Sequence, residues 1–161
     1  MIKPCHKTLW LFIKPLVVLV SDFLTKLYIV TYVPYGQKMR VTDFFNIVHV
    51  KNLGVSFSML TMNNTYGYLL LAALAGANML MVVYILRKTP DDTLKCFLSL
   101  VLGGAMGNLF DRLYYGGVID FLDFHVYGYH WPAFNVADCA IVLGVGLYCI
   151  RSIMLERKIR V

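Results

Sequence analysis

The run YGYLLLAALAGANMLMVVYIL, residues 66–86, contains no charged side chain. At about 1.5 Å rise per residue, a helix of that length matches a hydrocarbon core about 30 Å thick. It predicts a membrane span, and the rest of the chain arranges itself around it. Three further apolar stretches, 9–33, 94–113 and 134–153, have similar lengths but carry charges. The first holds Lys14, Asp22 and Lys26, the second Lys95, Asp111 and Arg112, and the third Asp138 and Arg151. Hydropathy alone rates these three weaker. Together the four stretches predict an all-α membrane protein, a single membrane-embedded domain over residues 1–161 with spans near 9–33, 66–86, 94–113 and 134–153.

Composition agrees. Of 161 residues 59% are hydrophobic and only 15% are charged, with a mean hydropathy of +0.66. A soluble domain is closer to half apolar. The net charge of +6 raises nucleic acid as a partner, but the basic residues form no single tract. They flank apolar segments, at Lys3 and Lys7, from Arg87 to Lys95, and from Arg151 to Arg160, which suits orientation signals. Residues 113–134 contain no Lys or Arg. Four spans with both termini cytoplasmic satisfy the positive-inside bias and place both long loops outside. The N-terminus has no small-residue cleavage site and reads as a retained first span.

The first outer loop includes 42–51, rich in Phe, Ile and Val, which predicts a short strand at the membrane interface. The second ends in Tyr127, Tyr129, His130 and Trp131 before Pro132, rings suited to the headgroup level. Cys5, Cys96, Cys139 and Cys149 show no C-x-x-C spacing and read as packing residues. Met59, Met62, Met79, Met81 and Met106 read as gap-filling or lipid-facing rather than as copper ligands.

The informative residues are polar groups at membrane depth, where charge is costly and usually functional. Asp22 and Lys26 are one helical turn apart and can pair. Asn108, Asp111 and Arg112 share one face of the third span, Asn135 and Asp138 open the fourth, and Asp120 lies just past the third. All fall toward the outer side. His6, His49, His125 and His130 show no metal-ligand spacing, so no metal and no cofactor is expected. No serine stands in G-x-S-x-G, and Ser21 and Ser56 lack support as partners of Lys26. Several aspartates remain. Two close carboxylates share a proton, so one can activate water while the other donates to a carbonyl, hydrolysing a peptide without a metal or covalent intermediate. The residue pattern leaves open which two of Asp22, Asp111, Asp120, Asp123 and Asp138 pair, although Asp123 reads as a solvated loop carboxylate and Lys51 as a surface loop charge.

Along nearly its whole length the chain resembles the lipoprotein signal peptidases (signal peptidase II), a family of aspartyl membrane proteases. Asp22 with Lys26 resembles the family's D-x-x-x-K, and Asn52-Leu53-Gly54-Val55-Ser56-Phe57 its N-x-G-x-A-F. Gly103-Gly104-Ala105-Met106-Gly107-Asn108-Leu109-Phe110-Asp111-Arg112 resembles G-G-A-x-G-N-x-x-D-R, Val118-Ile119-Asp120-Phe121 resembles V-V-D-F, and Phe134-Asn135-Val136-Ala137-Asp138 matches F-N-x-A-D. The resemblance implies a four-transmembrane-helix bundle with a small extracytoplasmic β-cradle. It implies Asp120 and Asp138 as the catalytic dyad, and Asn52, Gly54, Asn108, Arg112 and Asn135 as substrate-binding residues. Asp22, Lys26 and Asp111 would support the site. Ser56 replaces the usual alanine.

The implied reaction is removal of signal peptides from diacylglyceryl-modified prolipoproteins, cut N-terminal to the lipidated cysteine. The expected partners are those substrates and membrane lipids, with no nucleic acid and a monomeric enzyme. The expected location is the bacterial inner membrane, with the site near the outer leaflet. Gly103 and Gly107 would let a helix approach closely. Three other readings are an ion or proton translocator, a non-catalytic assembly factor and a serine-lysine signal peptidase. The first is disfavoured by the apolar inner halves of the spans and the last by the lack of a motivated serine; the assembly factor predicts that Asp120→Asn and Asp138→Asn leave function intact.

Overall fold

The computed structural model describes residues 5–54 and 65–159. Lys3, Val55, Ser56, Phe57, Met59, Met62 and Arg160 lie outside the described residues, as do the side chains of Cys5, His6 and Lys7. Among the described residues there are four long helices: α1 (Cys5–Tyr32), α2 (Thr65–Lys88), α3 (Asp92–Tyr115) and α4 (Val136–Ile159). Among the described residues three stretches are long and apolar enough to cross a membrane, Tyr66–Lys88, Asp92–Tyr115 and Val136–Arg157. The remaining helix, α1, carries Lys14, Asp22 and Lys26 along its length.

Helix α3 is the hub, packing against α1, α2 and α4. Small residues make this possible. A Cβ on Gly103 would stand 2.7 Å from the Pro15 carbonyl oxygen of α1, and one on Gly104 only 2.4 Å from the Ala137 carbonyl oxygen of α4. A Cβ on Gly107 would reach 2.6 Å from Asp22 Oδ2. The close approaches expected at Gly103 and Gly107 are therefore made by helices of the same chain. Asp91 caps α3, its carboxylate accepting the Leu94 N–H at 2.8 Å. Gly116 ends the helix with φ 72°, a left-handed conformation that side chains resist.

A four-stranded antiparallel sheet, order β1-β2-β3-β4, joins the helices: β1 (Lys38–Arg40), β2 (Phe45–Asn52), β3 (Val118–Val126) and β4 (Tyr129–His130). The strand expected over 42–51 starts at Phe45 and ends at Asn52, and β1 precedes it. Asp120 stands opposite Val50, and Asn52 opposite Val118, in the β2–β3 register. Tyr127 and Gly128 both have positive φ (48° and 82°), the geometry of a tight hairpin turn between β3 and β4. Ile29 of α1 and Val33, the residue just after that helix, pack with Ile119 and Phe121 of β3 in one buried cluster, fixing the sheet on the end of α1.

Two expectations are corrected. Asp123 is not a solvated loop carboxylate. It sits in β3 at 5% exposure, bonded to Asn46 Nδ2 at 2.7 Å, with His130 Nδ1 also 2.7 Å away. Strand pairing turns it toward β2 and the hairpin, where two polar partners receive it. Lys51 is half-buried within β2, and its ammonium donates to the Tyr115 carbonyl at 3.3 Å.

Candidate active site

Every site residue expected from the sequence converges at the end of the bundle beneath the sheet. Asp120 comes from β3 and is 3% exposed. Its Oδ1 accepts from Asn135 Nδ2 at 2.7 Å and its Oδ2 from Asn52 Nδ2 at 3.2 Å. Asn52 Oδ1 accepts the Gly54 N–H at 3.0 Å, which holds the chain after β2 in a turn and aims the amide.

Asp138 lies in the first turn of α4, and its Oδ1 accepts from Asn108 Nδ2 at 2.7 Å. Asn135 and Asp138 form a reciprocal cap. Asn135 Oδ1 accepts the Asp138 N–H at 2.9 Å, and Asp138 Oδ2 lies 3.4 Å from the Asn135 N–H. Asn135 is wholly buried; besides Asp120 its amide donates to Asn108 Oδ1 and the Ile119 carbonyl, each at 3.3 Å. One asparagine therefore fixes the start of the helix that carries Asp138 and bonds Asp120 directly.

Behind these carboxylates lies a buried ion cluster. Lys26 Nζ stands 2.7 Å from Asp22 Oδ2, 2.7 Å from Asp111 Oδ2 and 3.3 Å from Asn108 Oδ1. Three donors meet three acceptors, so the ammonium is satisfied without water. Asn108 Oδ1 thus receives Lys26 and Asn135, which leaves its Nδ2 to face Asp138. The two carboxylates of the cluster also hold backbone. Asp22 Oδ1 accepts the Ala137 N–H at 2.8 Å, and Asp111 Oδ2 accepts the Ile119 N–H at 3.1 Å. Arg112 donates to the Asn108 carbonyl at 3.2 Å and the Gly54 carbonyl at 3.4 Å.

Electrostatics separates Asp120 from an ordinary carboxylate. Burial, and then the charge of Asp138, push its pKa up to about 7. The hydrogen bonds from Asn52 and Asn135 work in the opposite direction and are outweighed.

The site opens into a groove of about 770 Å³ lined by α2, α3, α4 and the segment before α4. Asn52, Asn108, Arg112, Asp120 and Asp138 line its polar part, while Leu71, Leu74, Ala105, Ile141 and Val142 form apolar walls. Trp131, Pro132 and Phe134 from the second loop also line it. Asn78, a lone amide within the charge-free run 66–86, lines this groove too and was not singled out in the sequence. Its polarity amid apolar neighbours was the signal available. Among the described residues no three His, Cys, Asp or Glu side chains gather to hold a metal ion.

Comparisons with known proteins converge on one family. A family model described as Signal peptidase (SPase) II matches residues 15–154. A lipoprotein signal peptidase of Ralstonia nicotianae is 45% identical over 85% of this chain and 80% of its own length. One from Cupriavidus taiwanensis is 45% identical over 93% and 85%, and one from Francisella tularensis subsp. mediasiatica 36% identical over 91% and 93%. A solved structure described as a bacterial membrane enzyme at 2.3 Å resolution superposes with a TM-score of 0.75 at 28% identity, covering 89% of this chain and 87% of that one. A family match over most of the chain, relatives above one-third identity along nearly the full length, and a shared fold all agree: the chain belongs to the signal peptidase II family.

Proposed function

We propose that this chain is a membrane-embedded aspartic endopeptidase that cuts diacylglyceryl-modified prolipoproteins N-terminal to the lipidated cysteine. The observation that carries the mechanism is the placement of Asp120 and Asp138 at the mouth of one apolar groove, each held by asparagine amides. With its pKa raised to about 7, Asp120 keeps a proton near neutral pH. Asp138 is then the base: it takes a proton from a water, and the resulting hydroxide attacks the scissile carbonyl. Asp120 donates to the carbonyl oxygen as the tetrahedral intermediate forms. Collapse of that intermediate breaks the C–N bond, and the amine of the lipidated cysteine leaves with a proton from the dyad.

Asn52, Gly54, Asn108, Arg112 and Asn135 bind and orient the substrate backbone around this pair. Asp22, Lys26 and Asp111 hold the scaffold behind it. The four helices span the bacterial inner membrane with both termini cytoplasmic and the sheet outside, which sets the dyad near the outer leaflet, where the scissile bond of a lipidated substrate lies. Many large apolar side chains on the helices face outward, including Leu24 at 56%, Leu80 at 66% and Ile153 at 53% exposure, a surface suited to lipid. The enzyme works as a monomer, since one chain supplies both carboxylates.

Incubating the detergent-solubilised protein with a synthetic diacylglyceryl prolipoprotein peptide, and weighing the products by mass spectrometry, tests this reading. A single cut before the lipidated cysteine is expected, with the unlipidated peptide left intact. A cut elsewhere, or equal cutting of both peptides, contradicts it.

A further inference from the structure

Among the described residues, Asn78 is the one polar residue of α2 that lines the groove. The groove-lining face carries Leu71, Leu74, Ala75 and Asn78, an i, i+3, i+4, i+7 stripe. The Asn78 amide is exposed to the groove and has no hydrogen-bond partner among the described residues. Leu71 borders both the groove and the small pocket beside Asn52 and Arg112, so it marks the level of the polar mouth. Seven residues further along the helix, at about 1.5 Å each, Asn78 lies about 10 Å deeper. An unpartnered amide at that depth in an apolar channel calls for a hydrogen-bonding ligand.

The substrate proposed above offers one kind of group that fits. A helical signal segment satisfies its own backbone carbonyls. The glyceryl esters attached to the cysteine sulfur do not: their carbonyl oxygens accept hydrogen bonds, and the acyl chains carry no donor for them. From the scissile nitrogen through the cysteine side chain and sulfur to a glyceryl ester carbonyl is about eight bonds, or roughly 10 Å when extended. That reach equals the depth of Asn78 below the mouth.

We propose that Asn78 is a substrate-binding residue whose Nδ2–H donates to a glyceryl ester carbonyl of the lipidated cysteine. The bond seats the diacylglyceryl group in the groove beside α2. It also makes the enzyme selective for lipidated precursors, because an apolar or empty occupant leaves the amide unpaired. The inference rests on the prolipoprotein reading and adds to it a residue and a chemical contact.

The test uses the full-length protein in detergent and two peptides of identical sequence and chain length, one diacylglyceryl (ester) and one dialkylglyceryl (ether). Wild type, Asn78→Leu and Asn78→Gln are compared. For the ester peptide, Asn78→Leu is expected to raise KM about 5–10-fold, the value of one hydrogen bond, with kcat unchanged, and Asn78→Gln to recover part of it. For the ether peptide, wild type starts from the raised KM and Asn78→Leu changes it no further. An equal penalty on both peptides places the contact on the signal segment or on another helix and overturns the proposal, as does no penalty on either. A wild-type enzyme that cuts neither peptide overturns the prolipoprotein reading itself, and this inference with it. Melting temperatures of the three proteins separate a binding effect from a folding one.

Discussion

Asp22 Oδ1 accepts the backbone N–H of Ala137 at 2.8 Å, which ties α1 to the first turn of α4 one residue before Asp138. Asp111 makes the matching contact on the other side, accepting the N–H of Ile119, one residue before Asp120. Lys26 bridges the two carboxylates, 2.7 Å from each. The backbone leading into each proposed catalytic aspartate is thus gripped by an oxygen of the same ion cluster.

Removing the cation should therefore damage both arms together. Lys26→Met leaves Asp22 and Asp111 buried without a counter-charge and is expected to cost about 3–5 kcal/mol of stability. Thermal melting in detergent measures this, and the cleavage rate well below the melting point should fall at least tenfold. The triple change Lys26→Met, Asp22→Asn, Asp111→Asn is expected to regain stability relative to Lys26→Met alone. If Lys26→Met melts like wild type, the cluster is not what holds the two backbones.

The α3–α4 contact sets the separation of the carboxylates, because Asp120 follows α3 and Asp138 opens α4. Gly104→Ala puts a methyl group 2.4 Å from the Ala137 carbonyl oxygen and 2.8 Å from Ile141 Cγ1, so α4 must shift. Overpacking of this kind costs about 1–3 kcal/mol, and kcat should drop more than KM rises. Gly76→Ala, with nothing within 4 Å of the added Cβ, is the control and should leave activity unchanged. Steady-state kinetics of the two variants separates the outcomes.

Much of the architecture was legible in the letters. The four apolar stretches each overlap one long helix, and the Asp22–Lys26 spacing foretold an ion pair. The aspartate pair is different: five candidates remained on residue pattern alone, and the resemblance chose between them. What could not be read was long-range pairing. Asp123 looks like a loop residue beside Asp120 because its partners, Asn46 and His130, are contributed by β2 and by the residues after the hairpin turn. Strand β1 is only three residues long, too short for a pattern. Asn78 hides inside a run whose dominant message is hydrophobic, and only the groove reveals its direction.

Asp123 should behave as a structural carboxylate. Burial pushes its pKa up, but the hydrogen bonds from Asn46 and His130 outweigh that and hold it below the usual value. Its contribution to stability is therefore present at neutral pH and lost as pH falls through that depressed value. Asp123→Leu strands the Asn46 amide and is expected to cost about 1–3 kcal/mol, with kcat per folded molecule retained. Denaturation followed by tryptophan fluorescence, beside the cleavage assay, measures both.

The raised pKa of Asp120 predicts two pH effects of defined sign. Activity should fall as pH rises past about 7, when the proton shared near Asp120 is lost. Stability should follow the same direction. The folded state holds this proton more tightly than the unfolded chain does, so stability declines between the ordinary carboxylate pKa and about 7. Asp120→Asn mimics the protonated form and should melt several degrees higher than wild type at pH 8, but not at pH 4. A melting difference that is independent of pH would show that Asp120 titrates normally.

The central claim, that Asp120 and Asp138 together activate water, is tested most directly by the cleavage rates of Asp120→Asn and Asp138→Asn on a diacylglyceryl prolipoprotein peptide. Ser21→Ala and an EDTA-treated wild type are measured alongside. Each aspartate change should lower kcat by at least a thousandfold while the protein stays folded, and Ser21→Ala and EDTA should leave the rate intact. Substantial cleavage by either aspartate variant, or loss of cleavage with EDTA or with Ser21→Ala, would contradict that claim.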